Sequence, residues 1–587
     1  IDLAFRREDW VPTVAARALM AHNAPLLGFI AGSENAFTGK DHHYRGGEVL
    51  EKQLIAINNS RVAVSGRVNW SLNTPRPWTG QAEFAIPTGD QTRIPIRLLL
   101  PPDLAPGSYE LTARFDFEGG ESQQDAFAIS ILPLPPARKI SQRIALFDPA
   151  GETKKWLEAS QIAFASVDAA SDLAGFDLLI VGKSALTPEG RAPDISRVRD
   201  GLKVIVFEQT APVLEKRFGF RVAEYGLRQA FARVPDHPIL AGLSEDHLRD
   251  WRGEATLTPP RLDYVLRPRH GPTVQWCGIP VPRLWRCGNR GNVASVLIEK
   301  PARGDFLPII EGGYALQYSP LLEYREGRGL VLFCQLDVTG RTDPDPAAEI
   351  LARNIIEAAL RWQPAPQRSV AYAGEAKGRQ FLESLGITLQ NDHPIGERQG
   401  LLVLGPDSAA AWRARSADIA RHLNAGGRIL ALGLNQAEAA TILPIPVEMR
   451  TAEHLSAYFD APGRDSFFAG ISPSDLHSRD PRAIPLVTGG AIATASGVLA
   501  ASEDRNLIFC QHLPWHFAPG EAMNQKRTFR RAAFAVSRLL SNLGAGKTSP
   551  LLERFQSAPG RRETRWQEGF YLDEPEEWDD PYRFFRW

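Results

Sequence analysis

The sequence predicts a multidomain protein in which a β-sandwich is followed by two tandem α/β domains. Three observations predict this. Residues 48–133 carry short alternating runs, broken by Gly, Pro, Asn and Asp at sandwich-like spacing. Beyond residue 137, continuous apolar runs of strand length alternate with amphipathic helical stretches, as parallel sheets covered on both faces require. Finally, one strand–loop–helix unit occurs twice. The stretch from Gly327 to Asp337, containing Phe333, Cys334 and Gln335, leads into a helical run from Ala347 to Trp362. The stretch from Asn506 to His512, containing Phe509, Cys510 and Gln511, leads into a helical run from about Thr528 to Leu543.

The match extends upstream, where chance similarity would fade. Residues Phe176 to Gly182 match Gln399 to Gly405, and Lys203 to Phe207 match Arg428 to Leu432. Residues His237 to Leu243 loosely match Ser466 to Ile471, and the first copy carries an insertion from about Trp251 to Pro308. The agreement in order and type reads as a tandem duplication.

Composition narrows the function classes. A chain of 587 residues spans about three to five domains. Its 67 Lys and Arg nearly cancel its 68 Asp and Glu, which argues against a nucleic-acid or polyanion binder. No apolar run reaches the ~18 residues of a membrane span. The chain opens at Ile1 without a signal-like segment, so it reads as a piece of something longer or a processed product. Four cysteines do not make a disulfide scaffold. Cys334 and Cys510, on equivalent strands, read as small buried apolar residues. Cys277 and Cys287 flank a Pro-rich segment and could pair only in an oxidising compartment. No CxxC or paired His/Cys spacing points to zinc, and no cofactor is implied.

Taken in order, residues 3–23 read as a helix, with Trp10, Val14, Leu19 and Met20 near one face, leading to an apolar strand from Pro25 to Gly32. With nothing upstream to pack on, residues 1–32 read as the end of a missing N-terminal domain. Residues 33–136 form the sandwich, with strands expected over 52–58, 62–72, 81–86, 92–99, 108–117 and 125–132. The stretch from Leu100 to Tyr109 is a bend typical of immunoglobulin-like modules, so the sandwich is read as immunoglobulin-like. Pro133 to Pro136 is a stiff linker. The first α/β copy occupies 137–365 and the second 366–546, divided at Gln363 to Pro366. The tail, 547–587, is too aromatic for a disordered end and is expected to lie across a neighbouring surface.

In a doubly wound sheet the loops after the strands hold the ligand. A phosphate cradle needs closely spaced glycines after the first strand. Here Phe147 is followed by Asp148, Pro149, Ala150, Gly151 and Glu152, which offer none. The strand order, with a long C-terminal strand and helix, resembles the flavodoxin-like fold of class I glutamine amidotransferases. In active members a cysteine sits on a tight elbow after a central strand. The matching position follows Phe207 and reads Glu208, Gln209, Thr210; in the second copy it reads Gly433, Leu434, Asn435. Neither holds Cys or Ser, so both copies read as catalytically silent, and Glu208 lacks a visible partner for acid or base work. Gln335, Asp337, Arg341 and Asp343 follow a strand end and read as an internal ion-pair and capping loop. His512, Trp515 and His516 lie in the equivalent loop, but their counterparts are not histidines. Asp41, His42 and His43, in the polar stretch from Lys40 to Tyr44, are candidates for lining a substrate cleft, weighed against an interdomain contact.

The stretches Phe29 to Gly32, Phe37 to Tyr44, Gly47 to Gln53 and Ile57 to Ser60 resemble the segment after the catalytic barrel in large bacterial β-galactosidase-like glycoside hydrolases. The arrangement is also similar to the family 42 β-galactosidases, and family 2-like and family 42-like membership both remain open. In family 42 an amidotransferase-like domain without its nucleophile follows the barrel and mediates subunit contacts. The resemblance implies hydrolysis by two carboxylates of a (β/α)8 barrel, none of which can be matched here. It implies an accessory portion that brace the barrel or an oligomer, meets carbohydrate through the missing domain, and belongs to the bacterial periplasm or exterior. No nucleic-acid or membrane partner is implied. The alternative is a stand-alone carbohydrate-binding or scaffold protein in which Trp251, Trp276, Trp285 and Trp515 stack on sugar rings.

Overall fold

The computed structural model describes residues 6–119, 122–136, 140–257, 274–276, 279–281, 290–391, 398–517, 523–556 and 568–574. The chain is multidomain and strand-rich, with mixed sheets, and divides into two compact units. The first comprises residues 1–136 with two later segments, 250–253 and 343–347, and the second comprises the rest.

In the first unit, Leu26–Ala31, Val49–Asn58 and Asp90–Leu99 form an antiparallel three-stranded sheet. His43–Tyr44, Ser122–Ile131, Gly107–Phe117, Val64–Leu72 and Trp78–Ile86 form a five-stranded one. Apart from His43–Tyr44, which the sequence reading left without a strand, these strands begin and end within a few residues of the expected runs. The period-2 pattern is the reason: in Gly107–Phe117, Leu111, Ala113, Phe115 and Phe117 are buried while Arg114 is exposed. Both sheets supply one apolar core, including Leu50, Leu54, Ile96, Val68, Phe115 and Ile129. Each such side chain contributes about 1.5–3 kcal/mol of burial.

Leu26–Ala31, assigned from sequence to a preceding domain, pairs with Val49–Asn58 in this unit. Its other edge is satisfied by side chains: Gly28 N–H donates to Gln123 Oε1 and Ile30 N–H to Asp125 Oδ2, both at 2.8 Å. Gly28 is required there, because a Cβ would sit 2.3 Å from Phe115 Cγ. The preceding helix is shorter than expected, Val14–His22, capped by the Thr13 side chain on Ala16 N–H. It buries none of its residues, and Trp10 is 63 % exposed.

The second unit holds a ten-stranded and a seven-stranded sheet. In the ten-stranded sheet the order runs Ala165–Ser166, Ile144–Phe147, Leu178–Val181, Lys203–Phe207, Gly329–Cys334, Tyr318–Glu326, Ala294–Glu299, Val222–Leu227, with Asp305–Gly312 also paired to Tyr318–Glu326 and Phe231–Ala232 paired to Asp305–Gly312. In the seven-stranded sheet it runs Leu389–Gln390, Ser369–Ala373, Gly400–Leu404, Arg428–Leu432, Leu507–Cys510, Leu499–Ala501, Ile492–Thr494. The first five strands of each are parallel to one another and the next two antiparallel. The segments matched in the sequence occupy equivalent places.

The parallel strands read as unbroken apolar runs because both faces are covered, and Leu178–Val181 is buried throughout. The insertion supplies Ala294–Glu299 and the first half of Asp305–Gly312, which enlarge the first sheet. The helices expected over 347–362 and 528–543 span Pro346–Arg361 and Met523–Asn542.

The described part of the tail returns to the first sheet. Leu551, Leu552, Phe555 and Phe570 complete that sheet's core, with Phe570 stacked on Phe220 at 4.7 Å. Asp573 is held between Arg221, at 2.9 Å, and Arg530, at 2.6 Å.

Candidate functional site

Three neighbouring parallel strands of the first sheet end together, so the loops after them converge where a doubly wound sheet binds ligands. Lys183 follows Leu178–Val181, Glu208 directly follows Lys203–Phe207, and Asp337 and Thr339 follow Gly329–Cys334. Glu208, at the elbow position, is fully buried. Its Oε1 accepts from Thr339 N–H and Oγ1, both at 2.9 Å. Burial first, and then Asp337, push its carboxyl up to about 8, against the pull of Lys183.

Asp337 accepts from Thr256 N–H at 2.9 Å and Oγ1 at 2.6 Å, and lies 3.6 Å from Lys183 Nζ and 3.7 Å from Arg341 Nε. Lys183 also donates to Thr256 Oγ1. Gln335 locks the strand ends together: its Oε1 accepts from Gln209 N–H and its Nε2 donates to Gln209 O. The backbone strain that marks an elbow is on a different residue, Ser184, at φ +50°. This is a filled, internally neutralised cluster, with no nucleophile at the elbow.

The second sheet fills the same place differently. Gly433 sits at the elbow with φ +62°, and a Cβ there would meet Leu513 Cδ1 at 2.4 Å. Asn435 caps the helix Gln436–Ile442 in a capping box with Glu438. Gln511, the counterpart of Gln335, is buried, and its side-chain amide finds no partner among the described residues. Burial and the neighbouring His454 push the His512 imidazole down to about 3, so it stays neutral. At the surface, Trp515 Nε1 and His516 Nε2 both contact Glu375 Oε1. Cys334 and Cys510 are buried thiols; burial raises both, Cys510 to about 12, the opposite of what an attacking thiolate needs.

The segment with Asp41, His42 and His43 lies in the first unit. His43 is fully buried, and its Nδ1 donates to both Asp345 oxygens at 3.1 Å. Asp345 also accepts from Arg252 N–H and Ala347 N–H. Burial would raise the Asp345 carboxyl, but His43 and these amides hold it below the usual range. His42 donates from Nδ1 to Ala128 O at 2.7 Å and stacks on Phe127 at 4.4 Å. Lys52 Nζ lies 3.7 Å from the same ring's centroid, and burial brings its ammonium down to about 7 despite Asp41. Asp41 is half-buried at φ +36°. Both histidines are thus committed to internal contacts.

Of the other sequence candidates, Arg341 is buried on Glu254 O and Asn292 O, and Asp343 is exposed. Trp251 is fully buried and cannot stack on a sugar; Trp515 is half-buried. The Trp276 side chain, Trp285, Cys277 and Cys287 lie outside the described residues. Lys183, Thr256, Thr339 and Asp345 have no counterpart in the sequence reading. Lys183 carries a signal, a charge immediately beyond a buried strand; Asp345 carries another, an Asp two residues before a helical run. Among the described residues no three His, Cys, Asp or Glu side chains converge to hold a metal ion, and no helix is long and apolar enough to cross a membrane.

No protein family and no curated protein matches the chain. Among solved structures, 23 % of it is similar to 32 % of a family 123 glycoside hydrolase from Clostridium perfringens, at 12 % identity and a TM-score of 0.15. A β-glucosidase from Listeria innocua in complex with glucose matches 18 % of this chain over 16 % of its own length, at 14 % identity and a TM-score of 0.14. A CARDB domain from Pyrococcus furiosus matches over 87 % of its own length but 18 % of this chain, at 14 % identity and a TM-score of 0.15. The chain therefore spans a third or less of the two hydrolases, and none of these likenesses assigns it to a family.

Proposed function

We propose that this chain is the non-catalytic accessory portion of a β-galactosidase-like glycoside hydrolase. In this reading an immunoglobulin-like sandwich is followed by a duplicated, flavodoxin-like pair of amidotransferase-like domains. They brace a catalytic barrel or an oligomer, and carbohydrate is met through that barrel. The observation that carries the reading is the state of the two elbows. Glu208 is buried and clamped by Thr339, and Gly433 has no side chain, so neither α/β copy retains amidotransferase chemistry. The uncovered helix Val14–His22, whose Val14, Leu19 and Met20 are exposed, supports a role in packing against a further domain. Asp41 is the member of the Asp41–His42–His43 segment available to meet substrate, and the two histidines hold the segment.

The test is to express the longest reading frame that contains this chain and assay it beside the chain itself on nitrophenyl glycosides. Hydrolysis by the longer product alone is the expected result. Hydrolysis by this chain alone would overturn the reading.

A further inference from the structure

A cleft of about 710 Å³ lies in the second unit, between the strand Tyr318–Glu326, the helix ending at Arg361, the linker after it, and loops of the second copy. Its size is that of a small-molecule site. In its wall Glu323 is almost fully buried. The Glu323 Oε1 accepts from Arg325 Nε, and Oε2 lies 3.5 Å from His237 Nε2. His237 Nδ1 accepts from Ile239 N–H, so the imidazole proton is at Nε2 and is given to Glu323. Burial alone would raise the Glu323 carboxyl, but Arg325 and His237 hold it well below the usual carboxylate range.

The consequence is a fixed guanidinium. Arg325 is gripped through Nε, its side chain is 30 % exposed, and its Nη1 and Nη2 donate to no acceptor among the described residues. A planar, pre-aligned pair of N–H donors fits a carboxylate in bidentate fashion. Trp362 lines the same cleft and supplies an aromatic wall beside it. The charges in the lining select the ligand further. Arg325, Arg361 and Arg464 are balanced by Glu323, Glu357 and Asp465, so the cleft suits one added negative charge better than two. Asn354 Nδ2 is spent on Ile239 O and Ala241 O, but the carboxylates Glu357 and Asp465 and the Asn354 carbonyl oxygen are acceptors of the kind that meet hydroxyls.

We infer that this cleft binds a small ring-shaped monocarboxylate of the sugar-acid class, with Arg325 on its carboxylate and Trp362 against its ring. This goes beyond the accessory role proposed above and does not rest on it. Isothermal titration of the full chain with D-galacturonate and D-glucuronate tests it, with D-galactose and inorganic phosphate as comparison ligands. Saturable binding of a hexuronate, weakened about tenfold or more by Arg325→Lys, is expected, because lysine keeps the charge beside Glu323 but loses the paired donors. Trp362→Ala, in the linker, is expected to weaken binding about tenfold with an unchanged circular dichroism spectrum, so the test stands even if Arg325→Lys fails to fold. Equal affinity for galactose, tighter binding of phosphate, unchanged hexuronate affinity in the two variants, or no saturable hexuronate binding at millimolar concentrations would each overturn it.

Discussion

Two strand-end regions with the same scaffold have been filled in opposite ways. In the first sheet, Lys183, Asp337 and Thr256 come from three separate loops and are joined by an ion pair and hydrogen bonds, with Glu208 clamped beside them by Thr339. In the second, the same strand ends close over Gly433, Leu434 and Leu513, and the Gln511 amide has no partner among the described residues. The five parallel strands run in the same order in both sheets, so at these strand ends the difference lies in the loops. A buried parallel strand is specified by an apolar run that tolerates little change, whereas the residue just past its end is free to be a charge, a cap or a glycine.

The largest expected effect tests the network of the first copy. Asp337→Ala leaves the buried Arg341 and Lys183 without their shared carboxylate, Lys183 keeping only the exposed Glu152 at 3.5 Å, and breaking such a buried network costs up to about 3–5 kcal/mol. Chemical denaturation is expected to show an early transition in this variant, and an unchanged midpoint would mean that the network contributes little.

A sharper comparison uses one substitution at two equivalent positions. Gln335→Leu strips the partners from Gln209 N–H and C=O and is expected to destabilise by about 1–3 kcal/mol. Gln511→Leu removes an amide with no partner among the described residues and is expected to be neutral or stabilising. Effects of the same sign and size in thermal unfolding would erase the contrast.

The smallest effect depends on pH. The folded value of Glu208, about 8, lies above its ordinary 4.5, so the folded state holds that proton more tightly than the unfolded one. Its contribution is therefore fully present below about pH 4.5 and is lost as pH rises through about 8. Glu208→Gln is expected to gain at least about 1 kcal/mol on the native protein between about pH 5 and pH 8.5. Parallel pH profiles for the two proteins would show that Glu208 does not titrate in this range.

The strand skeleton is legible in the sequence because period-2 alternation and unbroken apolar runs are local. Val64–Leu72 and Lys203–Phe207 can be placed from a few residues each. The short strand His43–Tyr44 and the edge strand Leu26–Ala31 are less legible, since their partners are set by tertiary pairing. The candidate site is half legible. That Glu208 and Gly433, and no Cys or Ser, follow Phe207 and Leu432 can be read from residue identity at a strand end. The clamp on Glu208 cannot, because Thr339 lies 131 residues away, and no local pattern links the two. Likewise, the pairing of His43 with Asp345 spans 302 residues, and Trp251 gives no sign in its sequence neighbourhood that it is fully buried.

The return of Phe570 to the first sheet has a consequence for the order in which the protein can be completed. Every strand and helix of the second copy, through Asn542, leaves the ribosome before Leu551, Phe555 and Phe570 do. The earlier sheet must therefore wait with an unfinished core while the later one closes. At about 5–20 residues per second, the interval between Cys334 and Phe570 is on the order of tens of seconds. During that time the nascent chain exposes the apolar surface around Phe218 and Phe220 that the tail will cover.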